Sequence, residues 1–257
     1  MSRLPTTVID PFTVFDHAVR NHLAMLKRSI LLIILITLSE AFIYYLGEAI
    51  THHVLRGIFE IVGVLLFLYF YGAILYQTQS YLDGQDVSTK EALVAMRGRY
   101  LPLLACAAMI LVIVAAYYLL ITHVMQWWVG DTPHATVKGM IIFILLGVAP
   151  ILIFLVFMIF AMPLVVIDQL SPLRACQKSY LIIDTRWIQA FTVYACMGLI
   201  YILVSPRTLH AHFLMHYHVF MLFVFLVYCL LLPFFFNYML FLINDLKLRA
   251  EVQTDFD

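Results

Sequence analysis

Glu40 is the residue whose type and position point most directly to chemistry. It stands twelve positions past Arg28 inside an apolar run. At ~1.5 Å per helical residue that is roughly 18 Å along the helix, near the middle of a hydrocarbon layer about 30 Å thick. A charge at that depth costs at least about 2.5–3.5 kcal/mol, so an ionisable side chain there predicts a proton relay or a cation site facing the bundle interior. The plainer expectation is a neutral, protonated Glu40 hydrogen-bonded to a neighbouring helix, because a dry surrounding disfavours the charged form. Ser39, Tyr69 or Tyr71, and Asn237 are the candidate partners.

Histidines supply the second pattern. In the stretch 210–218, His210, His212, His216 and His218 crowd together, and His212 and His216 share one face of a helix. Such a pair could hold zinc or copper, or respond to pH near neutrality. No acidic residue lies between Ser205 and Asn237, and Cys229 sits deep in an apolar run. A chance cluster in a His-rich outer loop is therefore the preferred reading, with no bound cofactor expected. Glu60 follows Arg56 by four residues and Glu48 precedes His52 by four, which predicts surface pairing along helix faces. Sequence signatures of hydrolases, nucleotide-binding loops, zinc proteases and redox dithiols do not occur. Asp83-Gly84-Gln85-Asp86 reads as a turn rather than a calcium loop.

The elements that must position these residues follow from composition. Hydrophobic residues make up 64% of the 257-residue chain, charged residues 12%, and the mean hydropathy is +0.99. Soluble chains average about 45–50% apolar and about 25% charged. A chain this poor in polar surface cannot cover a soluble core, which excludes soluble enzymes, disordered proteins and nucleic-acid binders. Six apolar stretches are long enough to cross a bilayer as helices: roughly 29–50, 57–82, 100–124, 138–167, 187–205 and 217–243. Pro150 and Pro233 interrupt the two longest and predict tilt or kinks there. The first run lacks a small-residue cleavage site and is read as a retained span. Three of the four cysteines, Cys106, Cys196 and Cys229, fall in apolar runs and Cys176 in a basic segment, so a disulfide framework is not expected.

With six crossings, one side holds twelve of the fifteen Lys and Arg residues and the other holds Arg56, Lys138 and Arg207. That asymmetry predicts cytoplasmic termini. Each odd-numbered span is preceded by a basic segment opened by a helix-capping residue: Asp10-Pro11, then Ser88 with Glu91 three positions on, then Ser171-Pro172. The three caps lie 78 and 83 residues apart, which suggests three copies of one unit. The unit would be an interfacial helix followed by a transmembrane hairpin, with Arg97, Arg99, Arg174 and Lys178 meeting anionic lipid headgroups at about 1 kcal/mol each.

The stretch from Pro163 to Trp187, PLVVIDQLSPLRACQKSYLIIDTRW, resembles a motif of the YciC-like bacterial inner-membrane proteins. Pro163, Asp168, Ala175, Lys178 and Ser179 hold the motif's places. Asn244-Asp245-Leu246-Lys247-Leu248-Arg249 is similar to the ending of the related membrane domain fused to some glycerophosphodiester phosphodiesterases. Ser171-Pro172 departs from the glycine that many relatives carry, and the spans leave no room for a soluble phosphodiesterase domain. The resemblance implies a fold and a bacterial cytoplasmic-membrane location, not an activity. The residues themselves predict a structural elbow. Pro163 would end a span, Asp168 emerge at headgroup depth, and Ser171 start a new helix. Ala175 and Ser179 would let that helix approach a neighbour closely.

The expected molecule is thus an all-α, polytopic membrane bundle of six transmembrane helices, forming one integral domain over 1–257. Its expected partners are membrane lipids with anionic headgroups and other membrane proteins, and no nucleic acid. The expected function is a non-enzymatic membrane scaffold or envelope-maintenance protein. The alternative is a transporter or channel for a small molecule or lipid, with a path past Glu40; Asn237 is the second candidate functional residue within the membrane.

Overall fold

A computed structural model describes residues 4–49, 52–129, 141, 143–184, 187–188, 191, 195 and 218–254. Within them, the side chains of all but residues 11, 40–49, 128–129, 218–226, 228 and 250–254 are described. Every regular element among the described residues is helical: α1 (Pro11–Ala49), α2 (His53–Leu82), α3 (Thr89–Val129), a π-helical turn (Ile144–Val148) leading into α4 (Ala149–Met158), α5 (Ala161–Ile167), α6 (Pro172–Asp184) and α7 (His218–Thr254). Among the described residues five helical stretches are long and apolar enough to cross a membrane: Phe12–Ser39, His53–Leu82, Thr89–Trp127, Ile144–Ile167 and Cys229–Arg249. The expected fifth crossing, 187–205, falls largely outside the described residues.

The capping residues act as their types dictate. Asp10 accepts from the backbone N–H of Phe12 at 2.8 Å and from the Thr13 hydroxyl. Ser88 and Glu91 close a reciprocal box: the Ser88 N–H donates to Glu91 at 2.7 Å, and the Glu91 N–H to the Ser88 hydroxyl at 3.3 Å. These caps do not open separate interfacial helices, which corrects the expectation for the first two basic segments. α1 runs for 39 residues and α3 for 41 without a break. At ~1.5 Å per residue each is roughly 60 Å long, about twice the hydrocarbon thickness. The segment between Val19 and Ser29 contains no helix breaker, and α3 continues across Pro102, which it holds inside the helix where its apolar part begins.

Prolines segment the fourth run instead. Pro150 lacks an N–H for the carbonyl of Leu146 four residues back, and the chain widens there into the π-helical turn. The Tyr117 hydroxyl donates to that same Leu146 carbonyl. Pro163 acts in the same way, and here too the expectation is corrected. Regular bonding does not end at Pro163, which lies inside α5; it is interrupted at Ile159 and Phe160. A proline removes the bond to the residue four before it and presses its ring on that residue's carbonyl, so the break appears upstream.

Packing separates two surfaces. Val14, Ala18, Met25, Ser29, Leu32 and Ile36 of α1 are buried, whereas Phe12, Val19, Leu23, Ile30, Ile34 and Leu38 on its other face are exposed. The outer face of α3 exposes Leu101, Leu111, Val112 and Leu119. So large an apolar exterior needs lipid around it. The buried hydroxyls of Thr37 and Thr78 bond back to their own helices, at the Ile33 and Ile74 carbonyls, both at 2.7 Å. α2 and α3 are fastened reciprocally: the Tyr69 hydroxyl donates to the Leu93 carbonyl at 2.5 Å and the Tyr100 hydroxyl to the Leu65 carbonyl at 2.9 Å. The beginning of the described chain meets the end of α7, where the Ile9 N–H donates to Asp245 at 3.0 Å. This end of the bundle, which also holds Asp168, is termed basal below.

Candidate functional site

The densest polar arrangement lies where α5 ends. Asp168 caps α5, and Gln169 after it has φ of 54°, the left-handed conformation that turns a chain out of a helix. Ser171 then leads into α6, its carbonyl accepting from the Ala175 N–H at 2.9 Å. Two ammonium groups converge on the Asp168 carboxylate. Lys178, two turns into α6, donates to one oxygen at 2.8 Å, and Lys247 of α7 to the other at 2.6 Å. One side chain therefore ties the end of α5 to two other helices. Burial alone would push the Asp168 carboxyl upward, but the hydrogen bonds and charges of Lys178 and Lys247 outweigh it and hold the group below the ordinary carboxylate value.

Neighbouring groups reinforce this clasp. Arg99 of α3 donates to the Val166 carbonyl at 2.6 Å and lies over the Tyr76 ring, 4.6 Å from its centroid. Val166 is one of the last four residues of α5, whose carbonyls have no partner in their own helix. Ser179 and Ala175 are fully buried. The Ser179 hydroxyl donates to the Phe157 carbonyl at 2.6 Å, filling the same need at the end of α4. On α7, Asp245 accepts from Arg249 at 2.8 Å as well as from Ile9, and Asn244 donates to the Pro5 carbonyl at 3.0 Å.

Lipid contact was expected of four cations, and two of them turn inward. Arg99 and Lys178 have protein partners, while Arg97 and Arg174 are exposed. The helix needed Arg99 as a carbonyl donor because α5 ends against α3. Lys247, Asp245 and Arg249 carry the clasp but were not singled out as site residues. The pairing of Lys247 with Asp168 spans 79 positions and leaves no local signal.

The intramembrane candidates are not brought together among the described side chains. Glu40 lies on α1, with its side chain outside the description. Ser39 donates to the Ile36 carbonyl at 2.7 Å, Tyr69 to Leu93, and Tyr71 packs on Phe236 with ring centroids 5.4 Å apart. Asn237 is fully buried, with neither amide atom hydrogen-bonded. His210, His212 and His216 lie outside the described residues, as does the His218 side chain. No group of three or more metal-ligating side chains occurs among the described residues. Arg56 pairs with Glu60 at 3.0 Å on an exposed face.

No protein-family model, curated protein or solved structure matches the chain. What the clasp does chemically is read from its geometry. A carboxylate shared by two lysines, and carbonyls capped by Arg99 and Ser179, form a joint rather than a nucleophile with its base.

The strain at Gln169 gives the first expected outcome. A non-glycine residue in the left-handed region costs about 1–2 kcal/mol, partly offset by the extra freedom glycine has in the unfolded chain. Gln169→Gly is expected to raise stability by about 0.5–1 kcal/mol, read as a higher denaturation midpoint in detergent. A lower midpoint would mean that the glutamine side chain holds the elbow.

Proposed function

We propose that the chain is a non-enzymatic scaffold of a bacterial cytoplasmic membrane, crossing it six times with its basal end inward. The observation that carries this reading is the Asp168 clasp. The ionisable groups at the basal end bind helix ends to one another, and the remaining cations face outward where headgroups lie. Ile9 meeting Asp245 puts the first and last described helices at one end, which supports an even number of crossings. Pro163–Trp187, with its likeness to the YciC-like proteins, and 244–249, similar to the related membrane domain of some glycerophosphodiester phosphodiesterases, meet where Lys247 bonds Asp168, which supports reading them as one unit. Basic helices contacting anionic lipid, with about 1 kcal/mol per cation, supply the mechanism.

The test uses the full chain in nanodiscs of phosphatidylglycerol or phosphatidylcholine. Thermal stability is expected to be higher in the anionic lipid, and Arg97→Glu with Arg174→Glu is expected to remove most of that difference. An unchanged difference would sink the mechanism.

Transport is a second reading, favoured by one observation: the unpaired amide of buried Asn237. A path would need that polarity, whereas a scaffold gains nothing from it. For the scaffold, Asn237→Leu is neutral or stabilising by about 1–2 kcal/mol, because an unsatisfied buried amide is removed. A loss of folding in denaturant titration would show that Asn237 has a partner the scaffold depends on.

A further inference from the structure

The charges at the end of α5 do not balance. Each other ion pair among the described residues is one to one: Arg20 with Asp16, Arg28 with Asp86, Arg56 with Glu60, Arg249 with Asp245. Asp168 alone carries two cations. Arg99 adds a third positive charge at the same helix end, and its partners, the Val166 carbonyl and the Tyr76 ring, are uncharged. Arg174 stands one turn before Lys178 on α6 and is exposed. Two ammonium groups thus share one carboxylate, with Arg99 bound at the same helix end and Arg174 one turn away along α6. The Lys178 side chain is 42% exposed and that of Lys247 22%, so neither side chain is sealed inside the protein and both are partly shielded from water. Each ammonium has three donors, and one of the three is used on Asp168. Partial burial strengthens the field of an uncompensated cation, and a basic niche between helices at headgroup depth suits a phosphate group.

We propose that this niche binds one phosphate group of net negative charge, held by Lys178 and Lys247 beside Asp168 and drawn in by Arg99 and Arg174. Asp168 directly follows the candidate span Ile144–Ile167, so the phosphate lies at the level of phospholipid headgroups, and an anionic phospholipid is its source. The proposal rests on the basal end facing an anionic leaflet, and it adds that one lipid is bound at a saturable site. Lys247 serves as both a clasp member and a ligand, which couples lipid binding to the joint between α5 and α7.

The experiment is native mass spectrometry of the full chain in detergent, titrated separately with phosphatidylglycerol, phosphatidylcholine and inorganic phosphate. The wild-type chain is expected to saturate with one phosphatidylglycerol. Lys247→Gln is expected to weaken that binding about tenfold, Lys247→Arg to retain it, and Arg56→Gln, at the far end of α2 where Arg56 pairs with Glu60, to leave it unchanged. Should Lys247→Gln not fold, Lys178→Gln gives the same comparison at a more exposed position. Displacement of the lipid by millimolar inorganic phosphate, with one phosphate retained, would support the site and assign it a free anion. Unsaturable binding weakened equally by Lys247→Gln and Arg56→Gln would overturn the site while leaving diffuse lipid attraction standing. Equal binding of phosphatidylcholine and phosphatidylglycerol would overturn the site and the lipid mechanism of the scaffold together.

Discussion

Replacing Asp168 with alanine is expected to destabilise the protein by about 2–3 kcal/mol, more than any other single change at the basal end. The carboxylate is 19% exposed and meets Lys178 and Lys247 at 2.8 and 2.6 Å. Removing it leaves two ammonium groups beside each other with no anion. Breaking a fully buried pair costs about 3–5 kcal/mol. The figure is lower here because Lys178 can turn to water, whereas Lys247 has less freedom to do so. Lys247→Ala is expected to cost less than Asp168→Ala, since Asp168 keeps Lys178, and Lys178→Ala least of all. Denaturant titration of the three variants checks the order; Lys178→Ala as costly as Asp168→Ala would contradict it. The same carboxylate sets an acid limit. Its folded pKa lies below the ordinary value, so its stabilising contribution is complete above about pH 4 and is lost as pH falls through that region toward the lower folded value. Asp168→Asn is expected to flatten the stability profile in that window, and a profile that keeps its acid limb would assign the loss to another group.

The second large effect is expected at Gly72, where α2 packs against Met96 and Leu103 of α3. A Cβ placed there would lie 2.3 Å from Met96 Cε, 3.0 Å from Met96 Sδ and 3.0 Å from Leu103 Cδ2. Met96 and Leu103 are fully buried, so the methionine tip has little room to withdraw. Gly72→Ala is expected to destabilise by about 1–3 kcal/mol through overpacking, despite alanine's better helix propensity. Gly57→Ala, where nothing lies within 4 Å, is the control and is expected to stabilise by up to about 1 kcal/mol. Adding Met96→Ala should relieve much of the Gly72→Ala penalty, so a double-mutant cycle should show clear coupling between the two sites. Additive costs would mean that the clash is absorbed elsewhere. The tyrosine bonds from Tyr69 to Leu93 and from Tyr100 to Leu65 depend on the same close approach, so loosening Gly72 would release both.

Much of the fold was legible in the letters because hydrophobic runs and caps are local. The apolar runs located five described helices long enough to span, and Asp10, Ser88 and Ser171 marked the starts of α1, α3 and α6. Their continuations were not legible. α1 runs on from an amphipathic to an apolar stretch with no proline or glycine at the junction, and α3 runs on across Gly98 and Pro102. Pro163 was visible, but its effect falls on Ile159 and Phe160, as the geometry of a missing donor requires. At the candidate site, Asp168, Lys178, Ala175 and Ser179 could be picked out, since they occupy one short stretch. Lys247 could not be paired with Asp168, because contacts across 79 positions arise from helix packing that no local pattern encodes. Arg99 illustrates the opposite error: a cation in a basic segment looks solvated until a carbonyl at a neighbouring helix end takes it.

The scaffold and its lipid contacts both require the basal end to face the cell interior, and one labelling experiment reads that directly. Arg174→Cys, in a chain whose native cysteines are replaced, is treated with a membrane-impermeant maleimide in right-side-out and inside-out vesicles. Labelling confined to inside-out vesicles is the result expected. Labelling in right-side-out vesicles would place the clasp and its cations on the wrong side of the membrane and contradict the account.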